Sequence, residues 1–317
     1  MLFYIIRNNQ IETTFSVKRL GFSDTHFRNQ YPLYYNGVIP ILRTCFSLGD
    51  WGILSGLPRA LNTLHPQASI AIPSPQWAEK VFSNFYEPSS IWNNCWENIN
   101  VIFANNPFIH VIFNDQNSFN YTELPHDHYR VFKEDCEVEE PLANQMFRFL
   151  GGDPTKFDLR PELYFTPEEV TIGDAILRKL NINVFGTLLL ASSFKFDSSS
   201  NGQWPEKYEL PLMDLVERYL DTYPDMKFLY YSDFDISDTK WNIFNKSRGV
   251  KLIDIKKLDI PIRIQLYLKT QAIVNIGYQS GMNDSVGSRY ADMFTVSPYS
   301  PKELGSNRID KVNYIFV

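Results

Sequence analysis

Short apolar runs of strand length alternate with longer amphipathic stretches along this chain, and the alternation stops once and restarts. This constrains the fold more than any other feature. Continuous apolar runs suit strands buried on both faces, and parallel neighbours are joined through crossovers, usually helical. Strand candidates before the break are 38–46, 68–72, 100–104 and 110–114; after it they are 185–191, 227–231, 250–254, 272–276 and 294–296. Helices are predicted over 53–64, 76–85, 141–150, 166–180, 210–223 and 260–269. In the first of these, Ile53, Leu54, Leu57, Leu61 and Leu64 share a face, while Pro58 marks a kink or a later start. Pro40 predicts that pairing of the first strand begins beyond it. Thr166-Pro167-Glu168-Glu169 combines an N-cap hydroxyl, an early proline and early acids.

The break is GDPTKFDLRPEL (152–163), which carries Pro154 and Pro161 and reads as a linker. A length of 317 residues suits two domains. The expected organisation is α/β: two doubly wound, Rossmann-like domains facing a cleft, 1–155 and 156–317, with 1–36 as an unassigned N-terminal extension. In such sheets ligands bind outside the carboxyl ends of the strands, so the loops there are where chemistry is sought.

Composition narrows the partners. The net charge of −6 supplies no global basic field for nucleic acid or an anionic membrane, leaving only a local basic groove. Cys45, Cys95 and Cys136 form neither a disulfide framework nor a zinc pattern, which favours a reducing compartment. No run approaches the roughly 18 apolar residues of a membrane span, and the first residues lack a signal-peptide pattern. The cytoplasm is the expected location, with peripheral membrane association left open.

Three strand-end loops carry candidate chemistry. In Ser47–Gly52, glycines flank Asp50 before a helix. From spacing alone Asp50 reads first as an N-cap, and second as a general base beside the amides of Gly49, Trp51 and Gly52. The third glycine of a dinucleotide fingerprint is absent. In 192–205, the hydroxyls of Ser192 and Ser193, with Lys195 and Trp204-Pro205, suit a phosphate; a plain surface loop fits equally. In 277–289, Ser280, Gly281, Asn283, Asp284 and Ser285 can supply a backbone nest for a diphosphate and Arg289 a cation, or Asp284 or Ser285 a helix cap. A fourth motif, His126-Asp127-His128, with Asp115, reads as a loop rather than a metal site.

These motifs together resemble the bacterial heptosyltransferase family, glycosyltransferase family 9. SLGDWGILSGLPRALNTLHPQASIAI is similar to its opening, with Pro58, Arg59, Ala60, Leu61 and Pro66 in register. RPELYFTPEE resembles its linker, LLLASSFKF…GQWPEKYELPLMDLVERYL its strand, hydroxyl pair and Trp-Pro unit, and IGYQSGMNDSVGSRYA a degraded Asp-Ser-Gly-x-x-His loop. The resemblance covers most of residues 38–296 in order. It implies a GT-B fold with the acceptor on the N-terminal domain and the nucleotide-sugar on the C-terminal one. The implied reaction is metal-independent, inverting transfer to a glycan, lipid-linked or other hydroxyl acceptor, with no cofactor. Asp50 is then the base. Ser192, Ser193, Lys195, Trp204, Ser280, Gly281, Asn283, Asp284, Ser285 and Arg289 bind donor. The chain departs from the pattern where Gly202-Gln203 replace a lysine, Gln279 replaces the third motif's aspartate, and Asn283 and Asp284 stand near its missing histidine. These departures motivate one alternative, a catalytically silent GT-B-like binding or assembly protein; the other alternative, a glycosyltransferase acting on modified nucleic acid, needs a basic face on the N-terminal domain that composition does not advertise.

Overall fold

A computed structural model describes residues 2–7, 10–16, 38–41, 47–72, 95–109, 140–190, 206–232, 251–278, 281–297 and 309–316. The chain opens with an antiparallel pair, β1 (Leu2–Arg7) and β2 (Gln10–Ser16), within the stretch the sequence leaves unassigned. Next, β3 (Val38–Pro40) pairs in parallel with β4 (Ser69–Ala71). Pro40 lies inside this pairing, contrary to expectation. The Ile41 amide donates to Ala71 O at 2.8 Å, so the alternate Pro40 nitrogen faces away from β4 and no ladder bond is lost.

Between these strands lie α1 (Leu48–Ile53) and α2 (Leu57–Leu64). The predicted single helix is therefore two, and Pro58 sits in the first turn of the second, where its missing N–H costs nothing. Residues 100–104 are not a strand but the end of α3 (Cys95–Phe103). Ile99, Ile102 and Phe103 are buried at helical spacing, a period that the short apolar run alone conceals. α4 (Leu142–Phe149) ends at Gly151, whose φ of 88° only glycine adopts at no cost.

After a short 3₁₀ turn at Pro154–Lys156 comes α5 (Pro167–Lys179), opened by a complete capping box between Thr166 and Glu169. Then follow β5 (Phe185–Leu190), α6 (Glu206–Thr222), β6 (Lys227–Ser232), β7 (Lys251–Asp254), α7 (Ile262–Gln271), β8 (Val274–Tyr278), α8 (Gly281–Asp284), β9 (Asp292–Ser297) and β10 (Asn313–Phe316). The six strands form one parallel sheet in the order β10-β9-β8-β5-β6-β7. Leu212, Leu215 and Val216 of α6 cover one face; Val170 and Ile176 of α5 and Leu268 of α7 cover the other. The chain thus runs outward from β5 in one direction and returns beside it as β8. This makes β5/β8 the topological switch point, where such sheets bind ligands.

A separate core gathers Trp51, Leu54, Leu57 and Leu61 with Ile39, Ile70, Phe103, Met146 and Phe147. Residues 158–163 run between the two cores. Arg59 Nε meets Glu162 Oε2 at 2.7 Å and Arg59 NH2 donates to Asp158 O at 3.0 Å. The Glu162 amide donates to Ser55 Oγ at 2.8 Å, and the Leu163 amide to the Tyr290 hydroxyl at 2.7 Å.

Candidate active site

The loop after β8 meets α1 from the other half of the chain. Glycine allows the close approach. A Cβ on Gly49 would stand 2.8 Å from the Gly281 Cα, and one on Gly52 would stand 2.4 Å from the Ser285 Cα. Both separations are shorter than any side chain tolerates, and Gly49 and Gly52, three apart, lie on one face of the helix. Ser285 Oγ donates to Gly281 O at 2.5 Å and approaches Leu48 O at 3.3 Å.

Asp50 projects from this helix. The N-cap is Ser47, not Asp50: the Asp50 amide donates to Ser47 Oγ at 3.1 Å, and the Ser47 hydroxyl donates to Asp50 Oδ2 at 2.6 Å. That hydroxyl fixes the carboxylate and leaves it half-buried. Across the contact, Asp284 is 9% exposed. Burial, with the Asp50 charge beside it, pushes the Asp284 carboxyl well above the usual carboxylate range. Its Oδ2 lies 3.1 Å from where a Gly49 Cβ would be, so it faces α1 of the other half. Two carboxyl groups, one from each half, therefore meet beside the switch-point loop.

Beneath the loop lies Lys269, fully buried on α7. Its Nζ donates to Thr187 Oγ1 and to Asn283 Oδ1, both at 2.9 Å, and stands 5.2 Å from the Tyr231 ring centroid. Thr187 in turn donates to Asn275 Oδ1, and Asn283 Nδ2 donates to Tyr278 O at 3.1 Å. Burial pulls the Lys269 ammonium down to about 7. Sequence reasoning missed this residue. The signal was there: Leu266 and Lys269, three apart, follow helical spacing, which places a cation on the buried side of α7.

Several expected donor-site residues have other work. Arg289 does not face the β8 loop. It donates from Nε to Pro161 O at 3.1 Å and from NH2 to Asp158 O and Arg160 O at 3.1 and 3.0 Å, and its NH1 pairs with Asp158 Oδ2 at 3.2 Å. The concentration of linker carbonyls and the Asp158 carboxylate there outcompetes the loop for the guanidinium. Trp51 is core, not loop: it is 0% exposed, edge-on to Phe103 at 6.1 Å between ring centroids. Gly49 and Gly52 serve the contact between halves rather than an open oxyanion loop, and Gly281 and Ser285 complete it. Asn283 is fully buried and spent on Lys269 and Tyr278. Ser192, Ser193, Lys195, Trp204 and Ser280 lie outside the described residues, as does the His126–His128 motif. Among the described residues no group of His, Cys, Asp and Glu suits a metal, and no helix is long and apolar enough to cross a membrane.

No family model matches the sequence, nor does any curated protein. Among solved structures the chain is similar to the glycosyl transferase family 9 protein of Veillonella parvula DSM 2008, with TM-score 0.53 and 11% identity over 90% of this chain and 87% of that one. It also aligns with the E. coli ADP-heptose lps heptosyltransferase II (TM-score 0.41, 10% identity, 88% and 90% covered). A third alignment is to E. coli heptosyltransferase WaaC with ADP (0.40, 12% identity, 88% and 92% covered). The assignment rests on the first of these. Reached from the sequence motifs and from the three-dimensional likeness alike, the conclusion is that this chain has the fold of a family 9 glycosyl transferase.

Proposed function

We propose that the chain transfers a glycosyl group from a nucleotide-diphosphate sugar to an acceptor hydroxyl, by direct displacement, without a metal, and with Asp50 as general base. One observation carries this reading. The Asp50 carboxylate, oriented by Ser47 at 2.6 Å, stands against the loop that leaves the β5/β8 switch point. That position supports a base set beside the nucleotide crevice. In the displacement the acceptor oxygen attacks the anomeric carbon and its proton passes to Asp50. The bond from that carbon to the diphosphate oxygen breaks, and its electron pair stays on the phosphate. Backside attack inverts the anomeric centre. Lys195, Ser192 and Ser193 follow β5 in sequence, and the resemblance gives them the donor phosphates. The domain division at the 152–163 linker belongs to the same reading, with acceptor before it and donor after it.

The engagement of Arg289 by the linker favours the second reading, a nucleotide-binding relative without turnover, because it removes one expected donor-site cation. Nucleoside diphosphate release from a panel of nucleotide sugars, with and without simple glycan acceptors, separates the two. General-base loss predicts a fall of about 10²–10⁴-fold in kcat for Asp50→Asn with nucleotide affinity retained. Nucleotide binding without release in the wild type would establish the silent reading instead.

A further inference from the structure

α8 is a single turn, too short to hold its own shape, so its position is set by what grips it on either side. On one side Gly281 and Ser285 press on Gly49 and Gly52 of α1. On the other, the Asn283 side chain turns inward and is fully buried. β8 makes room for it: a Cβ on Gly277 would stand 2.9 Å from Asn283 Nδ2. That nitrogen donates to Tyr278 O at 3.1 Å, and the amide oxygen accepts from Lys269 Nζ at 2.9 Å. Lys269 is itself clamped to the centre of the sheet. Its Nζ donates to Thr187 Oγ1 on β5 at 2.9 Å, Thr187 donates to Asn275 Oδ1 on β8, and Asn275 Nδ2 donates back to Lys269 O at 3.2 Å. A closed ring of bonds thus joins α7, β5 and β8, and one arm of it reaches the turn on which α1 rests.

The ammonium is the costly part of this arrangement. Among the described residues its partners are neutral: a hydroxyl, an amide oxygen and the Tyr231 ring. A buried cation without a counter-ion destabilises a core, and an apolar side chain of like size would fill the same space. What the ammonium adds is several donors on a stem long enough to join two elements from a third. We propose that Lys269 is a positioning residue for Asp50: through Asn283 it fixes the turn on which α1 rests, and so sets where the carboxylate stands beside the switch point. This rests on the transfer reading above, which makes Asp50 the base. A misplacement of about 1 Å costs such a group about 10²-fold in rate.

Lys269→Met keeps the bulk of the side chain and removes the arm. Hydrogen exchange reads the turn directly. The Ser285 amide donates to Gly281 O, and the Val286 and Gly287 amides donate to Asn283 O. All three should exchange about tenfold faster in the variant, while the amides of β5 and β8 exchange no faster. Nucleoside diphosphate release is then measured from ADP-, GDP- and UDP-sugars with simple glycan acceptors, and the donor that the wild type uses fastest is kept. On that donor Lys269→Met should lower kcat by about 10²-fold, but by less than about threefold in a protein already carrying Asp50→Asn, because an absent base cannot be misplaced. A plain core defect would cost the same in both backgrounds. Unchanged exchange in the turn, or an equal loss of kcat with and without Asp50, overturns the role of Lys269 and leaves the transfer reading standing. A wild type that releases nucleoside diphosphate from none of the three donor classes overturns the transfer reading, and the role of Lys269 with it.

Discussion

Replacing Lys269 with methionine should stabilise this protein in mild acid and lose that advantage in alkali. The side chain is fully buried, and burial brings its ammonium from 10.5 to about 7. Below pH 7 both folded and unfolded chains hold the proton, and the folded state bears the full cost of an enclosed charge. Between about 7 and 10.5 the unfolded chain still holds a proton that the folded chain has released, so stability rises with pH. The interval from 10.5 to about 7, at about 1.4 kcal/mol per pH unit, corresponds to about 5 kcal/mol. The hydrogen bonds to Thr187 and Asn283 and the Tyr231 ring favour the charge and reduce that figure. Methionine also leaves Asn283 Oδ1 without its donor, at about 1–3 kcal/mol. We therefore expect Lys269→Met to be more stable than wild type by about 1–3 kcal/mol at pH 6 and no more stable by pH 10. Urea denaturation of both proteins across that range reads the difference, and residues titrating alike in the two cancel. A stability difference that does not change with pH would refute the buried-charge reasoning.

Other consequences are as direct. Gly52→Ala places a carbon 2.4 Å from the Ser285 Cα, so thermal melts should show a loss of about 1–3 kcal/mol or more, with Gly49→Ala acting the same way against Gly281. Arg289→Ala should lower stability by about 1–3 kcal/mol while leaving calorimetric nucleotide affinity unchanged; a large affinity loss would return Arg289 to the donor site. The guanidinium of Arg160 hydrogen-bonds Asp158 and holds its carboxyl well below the usual carboxylate range, with Arg289 adding to the effect. The stability this contributes is present above the unfolded value near pH 4 and is lost as pH falls through the folded one. Asp158→Asn should therefore flatten the acid limb of the stability profile between about pH 4 and pH 2.

The C-terminal sheet was legible in the sequence because its strands are buried on both faces and its helices carry strong boundaries, such as the Thr166 capping box. The α3 segment was not, since an apolar run as short as 101–104 has no period of its own. β10 is only four residues long, Asn313–Phe316, and its place is set by pairing with β9. Asp50 and the 281–285 loop, which meet across the two halves, were singled out in the sequence from their positions after predicted strands. What Gly49, Gly52 and Ser285 do was not, because a contact between residues over two hundred apart leaves no local trace. Arg289 looked free for an anion because the sequence does not show that the linker passes beneath it.

Trp51 follows Asp50 immediately, and its indole is locked edge-on against Phe103 inside the core. Any shift of the helix carrying the carboxylate must tilt that ring. The chain therefore contains its own optical gauge one residue from the proposed base, whose emission in a protein stripped of its other five tryptophans would register each substrate's arrival without an added dye.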